Sequence, residues 1–129
     1  MARRDLTGAV NFKHLETYAA GDQGVVDEVL AIFREQAAMW IRLLDPATEG
    51  WRDAAHTLKG SALGIGAFAL ADECEAAEQA GDDLGVRARQ LESVRTELDR
   101  ALADIAAYAH EQALKSLRSP AGPPPTGQD

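Results

Sequence analysis

The sequence predicts an all-α chain folded as an antiparallel four-helix bundle with a short additional N-terminal helix, on three observations. Hydrophobic residues make up 46% of the 129, much of that alanine, and only 5% are aromatic. Alanine-rich, leucine-punctuated chains with few β-branched runs favour packed helices over sheets. Apolar residues recur at three- and four-residue steps, the period of a helix with one buried face. Glycine, aspartate and proline interrupt these segments at hairpin-length connections, which turn each helix back along the one before it. A chain of this length can bury one core without staples, and it shows no internal repeat.

Residues 1–10 read as a flexible N-terminal arm, and 11–115 as the bundle domain. Asn11 is the expected N-cap of a short helix through about Ala20 that packs with Phe12, Leu15 and Ala19. Gly21-Asp22 stops it and starts the next. Val26, Val29, Leu30, Phe33, Ala37, Trp40, Ile41 and Leu44 then describe an amphipathic helix over about 22–44, ended by Asp45-Pro46. Thr48 or Glu49 opens a third helix reaching Gly66, and a fourth runs from Phe68 to about Ala80, stopped by Gly81. The last is long, from about Asp83 to Leu114, with Leu91, Val94, Leu98, Ala101, Ile105 and Tyr108 as its stripe. From Ser116 proline and glycine leave nothing to bury, so 116–129 reads as a disordered tail.

The chemistry concentrates in Ala55-His56-Thr57-Leu58-Lys59-Gly60-Ser61-Ala62 and Gly66. At about 100° per residue, Trp51, Ala54, Ala55, Leu58, Ser61, Ala62 and Ile65 gather on one side as the buried stripe. His56 falls nearly opposite its centre, and its helical neighbours are Arg52, Lys59, Gly60 and Leu63. Glycine weakens a helix by about 1 kcal/mol relative to alanine, so Gly60, Gly64 and Gly66 need a reason. Gly60 and Gly64 lie on the histidine side and leave the imidazole clear for another protein to approach. Leu63, exposed between them, is expected to touch that partner. Arg52 and Lys59 place two cations on one flank of the ring. An exposed imidazole beside cations suits the handling of a phosphoryl group, which needs positioning and charge neutralisation more than covalent help. Ser61, at the stripe's edge, is expected to make a structural hydrogen bond, and Cys74 to point inward as a small hydrophobe.

These residues resemble the histidine-containing phosphotransfer (HPt) domain of two-component phosphorelays. The family core runs His-x-Leu-Lys-Gly-Ser with a glycine ten residues after the histidine, matched here by His56, Leu58, Lys59, Gly60, Ser61 and Gly66. Gly21-Asp22, Phe33, Leu70, Cys74 and Glu78 extend the likeness over roughly residues 10–110. Ala77 stands where the family often carries a larger apolar residue. The resemblance implies that His56 is the phosphoryl acceptor, that Lys59 stabilises charge, and that Arg52, Gly60, Leu63 and Gly64 meet the partner. It also implies that the partner is a response-regulator receiver domain, including one on a hybrid histidine kinase. No cofactor is expected on this chain, since Mg²⁺ and the acceptor aspartate belong to the receiver.

What is missing also decides between classes. No glycine-rich loop is followed by Lys-Ser or Lys-Thr, so no ATP-dependent autokinase activity is expected, and the resemblance then implies a phosphocarrier and co-substrate. A net charge of −8 without a basic stripe argues against nucleic acid and makes the Arg52/Lys59 patch stand out. His14 and His110 have no neighbour at a metal-ligand spacing, and no metal site is expected. No apolar run is long enough for a membrane or an export signal after Arg3-Arg4, so the cytoplasm is the expected compartment. Four long helices let the bundle close alone, and a monomer is expected. A helical adaptor that binds receivers or a kinase without carrying phosphate remains the alternative; it would have no need of the histidine.

Overall fold

A computed structural model of the protein describes residues 8–118. It contains five helices: α1 (Phe12–Tyr18), α2 (Gln23–Leu43), α3 (Trp51–Ile65), α4 (Phe68–Glu78) and α5 (Leu84–Arg118). Helices α2 to α5 form the expected antiparallel bundle. Each packs on its neighbour in chain order, α5 closes the ring against α2, and α1 lies across α2 and α3. The predicted stripes become one core: Leu30, Phe33, Trp40, Leu58, Ala62, Leu70, Cys74, Leu91, Leu98, Ile105 and Tyr108 are among its buried residues. Among the described residues no helix is long and apolar enough to cross a membrane.

Local chemistry explains the helix ends. The Asn11 side chain accepts the His14 N–H at 3.0 Å, as an N-cap should. Two successive left-handed residues, Ala20 (φ 56°) and Gly21 (φ 78°), then reverse the chain, which ends α1 two residues before the expected Ala20. Asp22 caps α2 by accepting the Val25 N–H. α3 begins later than Thr48 or Glu49. Asp45 holds the Ala47 N–H and the Thr48 carbonyl takes the Trp51 N–H, so a tight turn occupies that stretch. Asp83 caps α5 through the Gly85 and Val86 N–H groups.

Two boundaries of the expected domain plan are corrected. Residues 9 and 10 do not belong to the flexible arm expected over 1–10: Ala9 and Val10 are buried, and their N–H groups donate to Asp104 Oδ2 at 2.8 and 3.2 Å. A carboxylate on α5 thus ties this segment to the bundle. At the other end, α5 continues through Ser116 to Arg118, because Lys115, Ser116, Leu117 and Arg118 hold no helix breaker. The rest of the segments expected as arm and tail, 1–7 and 119–129, lies outside the described residues.

Candidate functional site

The site is built on the α3–α4 hairpin, whose turn is only Gly66 and Ala67. Gly66 takes φ 82°, and its N–H and that of Ala67 return to Leu63 and Ala62 carbonyls, closing the end of α3. A Cβ at this position would lie 2.7 Å from the Asn11 carbonyl oxygen. The Gly66 carbonyl in turn accepts the Asn11 N–H at 2.9 Å. Backbone sign and close approach therefore both demand glycine here, which is the reason the sequence left open for Gly66.

So tight a turn fixes the register of the two helices. Residues equally far from Ala67 face each other. Lys59, eight positions before it, meets Glu75, eight after; His56, eleven before, meets Glu78, eleven after. The His56 side chain is 68% exposed, opposite the buried stripe as the periodicity predicts. Its Nδ1 lies 3.2 Å from Glu78 Oε1. Lys59 Nζ donates to Glu75 Oε1 at 2.7 Å and stands 3.2 Å from Glu78 Oε2. Gln79 Nε2 holds the other Glu75 oxygen at 2.7 Å. The hydrogen bonds to Glu75 and then Glu78 raise the Lys59 pKa, and the same ammonium lowers that of Glu75.

The cationic flank read from the sequence is therefore charge-balanced: each cation has a partner within the protein. Arg52 is exposed, but its guanidinium donates to the Glu78 backbone carbonyl at the end of α4 and stacks 4.6 Å from the Trp51 ring. A cation on the last carbonyls of a helix also meets the negative end of its dipole. Its place is at the base of the hairpin, anchoring the helix that carries Glu78.

Gly60 and Gly64 have open space where a side chain would begin, and Leu63 between them is 47% exposed. Leu63, Gly64 and the half-buried Ser61 line an apolar groove of about 520 Å³ whose opposite walls include Leu15 and Tyr18 of α1 and Ile32 of α2. His14 lies on its rim, with its ring edge-on to Phe68 at 5.3 Å. No group of three metal-ligating side chains is found among the described residues. Cys74 is fully buried, and burial pushes its thiol up to about 12.

In the sequence Glu78 stands out only by resemblance, and Glu75 not at all. The signal for both was the Gly66-Ala67 turn, since a two-residue hairpin makes the facing pairs countable. Asp104 was missed likewise, although it sits between Ala101 and Ile105 of the predicted stripe.

An exposed imidazole held at one nitrogen by a carboxylate, one turn from a lysine and on the outside of a four-helix bundle, defines a histidine phosphotransfer module. The sequence model of the Hpt domain matches residues 28–116, and the chain belongs to that family. Among solved structures it is similar to the histidine phosphotransferase ShpA from Caulobacter crescentus. The two share 60% sequence identity over 85% of this chain and 99% of that one, with a TM-score of 0.76. No curated protein matches the chain.

Proposed function

We propose that this protein is a phosphorelay intermediate that accepts a phosphoryl group on His56 from a receiver-domain aspartate and passes it to another receiver domain. The observation that carries this reading is the pairing of an exposed His56 ring with Glu78 at Nδ1. A carboxylate there favours the tautomer with its proton on Nδ1, so Nε2 keeps its lone pair and faces the approaching donor. Nε2 attacks phosphorus as the aspartyl O–P bond breaks, and the aspartate leaves as a carboxylate. The ring carries positive charge in the adduct, with the Nδ1 proton still directed at Glu78. No proton has to move, so the same groups serve the step in either direction. Lys59, within reach one turn along α3, balances the phosphoryl oxygens as charge builds on them.

The chain supplies half of an active site and acts as a carrier; the acceptor aspartate and its Mg²⁺ are assigned to the receiver. The groove edged by Leu63 and Gly64 supports docking of that domain over α1, α2 and α3. We extend the proposal to a cytoplasmic monomer that meets receivers, those of hybrid histidine kinases among them. Incubation with a phosphorylated receiver tests the reading: acid-labile label should move to the wild type and not to His56→Gln. Label retained in that variant, or lost only on changing His14 or His110, would refute it.

A further inference from the structure

We propose that Glu75 sets how strongly His56 holds its phosphoryl group, by competing with that group for Lys59. This rests on the phosphocarrier reading above. In the unphosphorylated protein Lys59 is shared by two carboxylates, and the shorter contact is to Glu75, at 2.7 Å against 3.2 Å for Glu78. The two acids differ in freedom. Glu78 is 19% exposed and bridges Lys59 to His56, whereas Glu75 is 50% exposed and belongs to no contact with the ring. Gln79 steadies its second oxygen and so aims the first at the ammonium.

Arg52, Lys59, Glu75 and Glu78 sum to zero formal charge around the His56 ring. Phosphorylation adds two negative charges and one positive charge on the ring, and Glu78 already answers the latter through Nδ1. Turning the Lys59 ammonium towards the phosphoryl oxygens weakens its short contact with Glu75, whose half-exposed carboxylate then turns into solvent. Glu75 thus stabilises the empty carrier relative to the loaded one. The transfer itself is unchanged: the N–P bond forms as the aspartyl O–P bond breaks, and Glu75 exchanges no proton. It is a positioning residue, acting through Lys59.

The test is the equilibrium ratio of phosphohistidine to phosphoaspartate after reversible transfer with one receiver domain. It is measured for wild type, Glu75→Gln, Lys59→Ala and the double variant. Glu75→Gln should raise the ratio about two- to fivefold, the range an exposed ion pair supports. The rise should shrink at high ionic strength and vanish in the Lys59→Ala background, which a role confined to folding would not produce. An unchanged or lowered ratio in Glu75→Gln, or the same rise without Lys59, overturns this proposal alone. A wild type that takes no label on His56 overturns the phosphocarrier reading and this proposal with it.

Discussion

At the scale of single residues, the site separates two kinds of work. Lys59 is tied to carboxylates beside His56, while Leu63 stands half-exposed at the edge of an apolar groove. Burying a fully exposed leucine is worth about 1.5–3 kcal/mol, of which the half-exposed Leu63 can still gain about half, and an exposed ion pair contributes about 1 kcal/mol or less. Leu63→Ala should therefore weaken receiver binding more than Lys59→Ala does, whereas Lys59→Ala should act chiefly on the transfer rate. Calorimetric titration with transfer kinetics in parallel checks this; a larger binding loss in Lys59→Ala contradicts it. Gly60 gives a second residue-scale test. Open space surrounds it, so Gly60→Ala should leave the helix unchanged or stabilise it by up to about 1 kcal/mol. Gly60→Glu should slow transfer through bulk and repulsion of the phosphoryl group, and a wild-type rate would show that the glycine has another purpose. Cys74, by contrast, is chemically quiet. Its thiol is held at about 12, against 9.0 when unfolded, by burial and then by the Glu78 charge. A raised pKa contributes stability below pH 9 that is lost as pH rises from 9 towards 12. Alkylation at pH 8 should accordingly be slow in the native protein and fast in urea.

Helix elements carry the next level of the account, and their junctions matter more than their interiors. Gly66→Ala should cost about 2 kcal/mol or more in urea unfolding, since it combines a left-handed backbone with a collision at Asn11. Near-wild-type stability would mean that the hairpin turn is less constrained than described. Asp104→Ala should be costly too, by about 2–4 kcal/mol, because it strips buried N–H groups at Ala9 and Val10 of a charged acceptor. Faster hydrogen exchange at those two amides would localise the effect, and unchanged exchange would refute it. These junctions also show what the sequence made legible. The stripes of α2, α3 and α5 were readable because burial follows a fixed angular period. Helix ends were less so: Ala20 adopts a left-handed conformation that its identity does not announce. The Asp45 turn likewise delayed α3, and Ser116 and its neighbours were absorbed into α5. Within the site, His56, Gly60 and Leu63 were legible because helical angle alone places them. Glu75, Glu78 and the engagement of Arg52 depend on pairing between helices, which no single helix's periodicity contains.

For the whole molecule, the bundle holds one imidazole outward and sets its carboxylate partners on the neighbouring helix. In the closed ring α2 and α5 pack against the α3–α4 pair, and α1 adds the far wall of the groove beside it. The central claim is that this frame presents Nε2 of His56 to the donor and keeps Nδ1 on Glu78. Phosphorus–nitrogen correlated NMR on ¹⁵N-histidine-labelled protein, phosphorylated by a receiver domain, tests it most directly. The account predicts one adduct, with coupling from phosphorus to Nε2 of His56 and a protonated Nδ1. Coupling to Nδ1, or an adduct on His14 or His110, would contradict it.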